Sequence, residues 1–323
     1  MLILSEQDAR ALVGVEDAIA AVEQTFVAMA REQARNYPVV REVLGYQDAV
    51  FGVKTGADTS APLLGLKAGG YWPHNAARGL TNHQSSTVLF DPETGRAKAV
   101  VSANYLTGVR TGAASALATR TLSRPDSCVL AILGTGVQSL YQVKATMAVR
   151  PIRRVRAWDP SAEQLRNFGR GVTELGLAFE PQAGPREAVA EADVVITVTP
   201  SQRPLVEHGW LRAGTHVSAM GADTRGKQEL AAQVVAAAAV YVDEPAQSVS
   251  IGECQHAFAA GLITLADLRG TLGEVIAGQR PGRRSDGEIT LFDGTGVALQ
   301  DLAVAELAVR LALQQGVGVQ VEY

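Results

Sequence analysis

Two cysteines in 323 residues, Cys128 and Cys254, lie far apart and supply no disulfide framework. No Cys-X-X-Cys pair occurs and the five histidines show no ligand spacing, so no metal site is expected. So little cysteine fits a reducing, cytoplasmic setting. An excess of basic charge is also missing. The net charge is −4, which gives no electrostatic case for nucleic acid or a membrane surface. No apolar run is long enough to span a bilayer, and Glu6, Asp8 and Arg10 do not read as a signal peptide. Internal repeats and low-complexity tracts are absent.

What is present is an ordinary globular composition, 47% hydrophobic and 19% charged, at a length that fits two domains. Residues 5–34 carry Leu12, Val15, Ile19, Val22, Phe26 and Met29 at steps of three and four, an amphipathic helix. From Tyr37 to Val101, glycines and prolines punctuate short strands, and Asp91-Pro-Glu-Thr-Gly95 reads as a hairpin loop. An alanine-rich helix follows at 103–122. After Arg124-Pro-Asp126 the pattern becomes strand 128–133, helix 136–149, strand 154–158 and helix 161–176, with strands at 193–198, 215–219, 239–242 and 289–293. A helix over 297–315 closes the chain. The fold class is therefore α/β, a Rossmann-type doubly wound parallel sheet over 123–296. The helix and strands of 1–122 precede it as a separate region, divided from it near Arg124-Pro-Asp126.

The most informative segment is Cys128-Val-Leu-Ala-Ile-Leu-Gly-Thr-Gly-Val-Gln-Ser139, an apolar strand ending in a glycine turn that opens a helix. Gly134 permits the turn, and Gly136 lets a pyrophosphate approach the helix N-terminus. Thr135, Val137 and Gln138 complete the turn, and Ser139 stands where the fingerprint's third glycine would be. Asp159 ends the next strand 25 residues after Gly134 and suits the hydroxyls of a ribose; it also suits a helix cap ahead of Pro160. A carboxylate there repels a 2′-phosphate, so NAD is expected over NADP. Thr197 and Thr199 end a further strand and are candidate walls for the cofactor.

Lys67 ends the short apolar strand of Gly65-Leu-Lys67, and Arg110 sits at the start of the alanine-rich helix, where a partly buried cation needs an anionic partner. Each also fits a structural ion pair. Asp223, in Gly221-Ala-Asp223-Thr-Arg-Gly-Lys227, follows a strand end and suits a general acid or base, or a cap for a helix near Lys227.

Gly65-Leu-Lys67, Thr107-Gly-Val-Arg110-Thr111, Gly134-Thr-Gly136-Val-Gln138, Gly221-Ala-Asp223-Thr-Arg-Gly-Lys227 and Gly294-Thr-Gly-Val-Ala-Leu-Gln-Asp301 occur in the order seen in the ornithine cyclodeaminase/μ-crystallin family. The resemblance covers essentially the whole chain. It implies a homodimer with one Rossmann domain and a second, α+β substrate-binding and dimerisation domain built from 1–122 with 297–323, which binds NAD(H) or NADP(H) and acts on a small α-imino or α-amino acid. It also implies roles. Lys67 and Asp223 are then catalytic, and Arg41, Lys67 and Arg110 grip the substrate carboxylate. Arg110, Thr111, Gly134, Thr135, Gly136, Val137, Gln138, Asp159, Thr197, Thr199, Met220, Gly221, Asp223, Gly294 and Thr295 contact the cofactor. Lys54 and the polar run through His83 and Ser85 resemble the imine-reducing, amino-acid dehydrogenase branch, iminosuccinate reductases in particular. These groups suit a second substrate carboxylate better than the ammonium tail of ornithine. Ornithine cyclodeamination and a non-catalytic, μ-crystallin-like ligand-binding role are the alternatives.

Overall fold

The structure is a computed structural model and describes residues 1–322. The chain opens with β1 (Leu2–Leu4), α1 (Glu6–Leu12) and α2 (Val15–Ala30). A run of strands follows: β2 (Ala34–Asn36), β3 (Val40–Val43), β4 (Val50–Asp58), β5 (Leu63–Tyr71), β6 (His83–Phe90) and β7 (Ala97–Ser102). Helix α3 (Asn104–Leu122) leads to β8 (Val129–Leu133), α4 (Ser139–Met147), β9 (Arg154–Trp158), α5 (Ala162–Glu174), β10 (Ala178–Pro181), α6 (Pro185–Val189) and β11 (Val194–Thr197). Next come β12 (Gln202–Val206), β13 (His216–Ala219), β14 (Gln228–Leu230), α7 (Ala232–Ala237), β15 (Ala239–Val242), α8 (Pro245–Ser248) and α9 (Gln255–Ala259). The chain ends with β16 (Gly270–Thr271), α10 (Leu272–Ile276), β17 (Thr290–Asp293), α11 (Ala298–Gln315) and β18 (Val319–Gln320).

Two compact units result. The first is Met1–Arg110 with Val297 onward, and the second is Thr111–Gly296. The division falls inside α3, upstream of the boundary expected at the end of that helix.

In the first unit the strand order is β18-β1-β7-β6-β5-β4-β2, with β3 paired to β4. Most pairings are antiparallel hairpin neighbours; β1 joins β7 in parallel. Helix α11 lies on one face of this sheet. Its Leu299, Leu302, Ala305, Val309 and Ala312, spaced by three and four, are buried. Gly316, in the left-handed region at φ 66°, ends the helix. Glycines on the sheet let the helix in: a Cβ on Gly56 would meet Leu299 at 3.3 Å, and one on Gly65 would meet Leu302 at 2.9 Å.

The second unit is an eight-stranded sheet in the order β10-β9-β8-β11-β13-β17-β15-β16, with every pair parallel. The order reverses between β8 and β11, so the carboxyl ends of these two strands flank the crevice where such sheets bind ligands. Both faces are covered, and the inner strands are accordingly continuous apolar runs, as in Val-Val-Ile of β11. Leu133, Val195, Val217, Val240 and Leu291 anchor its core.

The structure also corrects sequence-based expectations of local structure. The helix expected over 5–34 is two helices, because Val13 is extended and Gly14 caps α2. Lys67 is central in a nine-residue strand rather than at its end. No helix starts at Lys227; β14 begins at the next residue, so Asp223 is not a helix cap.

Candidate active site

In the second unit the turn after β8 is built as the sequence suggests. Gly134 has φ +92°, and a Cβ there would lie 2.6 Å from Thr199 Cγ2 and 2.9 Å from the Val198 carbonyl oxygen. The turn is thus pressed against the end of β11. Gly136 is exposed and faces open space; a Cβ there would meet only Gln164 Oε1, at 3.9 Å. Protein crowding does not require a glycine at this site, whereas close approach by a ligand does. Helix α4 starts at Ser139 with Gln138 at its cap, and the Gln138 side chain makes no capping bond to its first amides. Such an end attracts anions. The buried Gln138 Oε1 has no protein partner. The residues present therefore fit a pyrophosphate.

Asp159 serves the same turn. Its Oδ2 accepts from the Thr135 amide at 2.7 Å, and its Oδ1 accepts from the Ser161 amide at 2.8 Å. Ser161, not Asp159, caps α5. Half-buried, Asp159 locks the glycine turn to the end of β9 and keeps part of its surface exposed.

Glu229, to which no sequence motif pointed, organises the neighbouring strand ends. It accepts from Thr197 Oγ1 (2.6 Å), the Thr199 amide (2.6 Å), Thr199 Oγ1 (2.8 Å) and the Gly221 amide (2.9 Å). The hydroxyls of Thr197 and Thr199 thus point to Glu229, and Thr197 is fully buried. Glu253 in turn accepts from the amides of Glu229 and Leu230. Burial pushes both carboxyls up, with the four donors to Glu229 opposing the rise.

Met220 is buried, and Gly294 makes room for it: a Cβ on Gly294 would lie 2.6 Å from Met220 Sδ. Asp243 fixes the adjoining loop, accepting from Thr295 Oγ1 at 2.8 Å and the Gly296 amide at 2.7 Å. Asp293, fully buried, has its carboxyl pushed up to about 7 by burial, against the hydrogen bonds from Ser248 and Cys254. Asp223 is half-buried, and its Oδ1 accepts from Lys227 Nζ at 2.7 Å and Thr224 Oγ1 at 3.1 Å. Thr111 is buried in α3.

In the first unit, strand alternation gathers the predicted substrate residues. Lys54 pairs with Lys67, which pairs with Thr87; Arg41 pairs with Gly52, Gly69 with Ser85, and Tyr71 with His83. With a period of two, Arg41, Lys54, Lys67, His83 and Ser85 all share the face that carries α11. Lys54, Lys67 and Arg110 are buried, at 8%, 7% and 6% exposure. Asp301, from the first turn of α11, is the counter-ion of the last two. Its Oδ1 accepts from Lys67 Nζ at 2.9 Å and from Arg110 Nε at 2.8 Å. Arg110 Nη1 reaches Gln300 Oε1 at 3.1 Å, and Lys67 reaches Thr107 Oγ1 at 3.4 Å. The Lys67 ammonium falls to about 8: burial lowers it, Asp301 opposes, and Arg110 and Arg41 add to the fall. Burial would raise the Asp301 carboxyl, but Arg110, Lys67 and Lys54 override it and hold it at about 2.

Asp301 is the anion that a buried Arg110 demanded, although the sequence motif around it assigned it no role. A charged residue among Leu299, Leu302, Ala303 and Ala305 was the available signal. Glu229 gave no comparable sign, because its donors come from separate segments.

The model of the family described as "Ornithine cyclodeaminase/mu-crystallin family" matches residues 1–315. An iminosuccinate reductase of Paracoccus denitrificans is 50% identical over the full length of both chains. A crystal structure of the iminosuccinate reductase of Paracoccus denitrificans in complex with NAD+ superposes with a TM-score of 0.94 at 49% identity, covering 100% of this chain and 99% of that one. A Thermococcus litoralis Δ1-pyrroline-2-carboxylate reductase, solved with NADH and L-proline, gives 0.96 at 30% identity over 99% and 100% of the two chains. An archaeal alanine dehydrogenase dimer with bound NAD gives 0.94 at 36% identity over 100% and 99%.

Proposed function

The chain belongs to the ornithine cyclodeaminase/mu-crystallin family, and from that premise we propose that it reduces a small α-imino acid to the amino acid with NADH, reversibly. Iminosuccinate, giving aspartate, is the substrate we assign. One observation carries the choice. Three buried cations, Lys54, Lys67 and Arg110, share one sheet face around a single Asp301 carboxylate, which bonds two of them and is held ionised by all three. Buried cations at such density are costly unless anions meet them, so the site suits a ligand of high negative charge. A dicarboxylate fits that demand. The ammonium tail of ornithine meets a buried lysine instead, which disfavours cyclodeamination.

Residues Gly134–Gln138 would hold the pyrophosphate, Asp159 a ribose, and Met220, Gly221, Gly294 and Thr295 the nicotinamide side; Arg110 and Thr111 are assigned to the cofactor as well. Thr197 and Thr199 support these loops through Glu229. When bound, NADH supplies the hydride and NAD+ takes it back. Arg41, Lys67 and Arg110 grip the α-carboxylate, and Lys54 with His83 and Ser85 receives the second carboxylate. Fixing both ends orients the imine carbon and removes much of the entropic barrier. Asp223, directly or through a water that supplies the proton, passes a proton to the imine nitrogen and so makes the carbon electrophilic. The intact Lys67 and Asp223 favour an enzyme over a ligand-binding protein.

We further propose a cytoplasmic homodimer. The sheet face opposite α11 carries half-exposed Val53, Leu64, Leu66, Val88 and Phe90, an apolar surface suited to a second copy. Among the described residues no helix is long and apolar enough to cross a membrane, and both cysteines are free.

The test is NADH oxidation with oxaloacetate and ammonia, scored for aspartate, beside ornithine scored for proline. Aspartate with stoichiometric NADH loss supports the reading. Proline without net NADH change contradicts it.

A further inference from the structure

We infer that Asp301 is a positioning residue for the substrate carboxylate, because one of its oxygens takes both cations that grip it and fixes their spacing. The inference rests on the reading of Lys67 and Arg110 as the carboxylate-binding pair. The geometry is specific. Lys67 comes from β5, Arg110 from α3 and Asp301 from α11, three elements joined at this one oxygen. The contacts are 2.9 and 2.8 Å to the same Oδ1, and Oδ2 is buried without a protein partner. Sharing one oxygen draws Nζ and Nε together and aims both at one point. Gln300 Oε1 holds the far side of the guanidinium at 3.1 Å, which restrains Arg110 from swinging away. Asp301 lies in the first turn of α11, where the helix dipole favours its charge.

Asp301 also decides the proton on Lys67. The charged and titratable groups around Lys67 are Asp301 from α11, Arg110 from α3, Arg41 from β3, and Lys54 and His83 on the same face of β4 and β6. Asp301 alone among them favours the ammonium. With Asp301 in place Lys67 titrates at about 8; without it, burial and the neighbouring cations act unopposed and Lys67 turns neutral at lower pH.

Two variants separate position from charge. Asp301→Asn keeps the shape and removes the charge. Asp301→Glu keeps the charge and shifts the oxygen by one methylene. The full-length protein is labelled biosynthetically with ¹³Cε-lysine and titrated by NMR, the Lys67 signal being the one lost in Lys67→Arg. In Asp301→Asn the Lys67 midpoint should fall below about 7, and the fall of kcat/KM at high pH should move down with it. In Asp301→Glu the midpoint should stay near the wild-type value while KM for the imino acid rises about tenfold or more. A Lys67 midpoint unmoved in folded Asp301→Asn overturns the inference, as does an unchanged KM in Asp301→Glu. The NMR titration needs no turnover. A moved midpoint in a protein that reduces no imino acid would keep Asp301's hold on Lys67 and defeat the functional reading instead.

Discussion

Lys54 and Lys67 stand directly opposite each other on neighbouring antiparallel strands, and both are buried. Like charges so placed repel, at a cost to the sheet. Asp301 offsets part of that cost: it bonds Lys67 and lies close enough to Lys54 to be held ionised partly by it. A substrate dicarboxylate would offset the rest.

Lys54→Met therefore separates substrate recognition from catalysis. Loss of a charged hydrogen bond to the second carboxylate should cut kcat/KM for the dicarboxylic imine by about 10- to 100-fold. Reduction of the imine of pyruvate should change by less than about threefold, and the melting temperature should not fall. Steady-state kinetics with both 2-oxo acids and ammonia reads this out.

Asp159 is the residue we propose to control the choice of dinucleotide. Asp159→Ser removes the charge that repels a 2′-phosphate and loosens the Thr135 amide it holds. The ratio of kcat/KM for NADH over NADPH should fall by about tenfold or more, with NADH itself used less well. A ratio that stays constant assigns Asp159 to the turn alone.

Asp223→Asn should lower kcat by about 10²- to 10⁴-fold, the usual contribution of a positioned acid. NADH binding, followed by fluorescence, should change little. Turnover that survives the substitution removes Asp223 from proton transfer.

Much of this site is legible in the sequence. The glycine turn, the acid ending the next strand and the βα alternation have local signals, and the structure places them at the switch point of a parallel sheet. Lys54 and Lys67 are visible as residues, but their pairing is not, since register depends on a turn of Thr59–Pro62 that no pattern fixes. Asp301 and Lys67 are 234 residues apart, and Glu229 gathers donors from Thr197 to Gly221. Such contacts arise from tertiary packing alone. The same holds at the break between α1 and α2, where the apolar stripe runs on across Gly14 and hides the interruption.

Asp293 predicts a pH dependence of stability. Its carboxyl is pushed up from 3.8 to about 7 in the folded protein, so between those values the folded state holds a proton that the unfolded state has lost. Its contribution to stability is greatest at low pH and declines as pH rises toward 7. Asp293→Asn, which mimics the protonated form, should flatten that decline. Denaturant midpoints of both proteins from pH 5 to about 8 check the slope.

The most direct test of the central claim is the ratio of kcat/KM for iminosuccinate to that for the imine of pyruvate, measured on the wild-type protein with NADH. The cluster of buried cations at Lys54, Lys67 and Arg110 predicts a ratio of about 100 or more. A ratio near or below one would contradict the assignment of a dicarboxylic substrate.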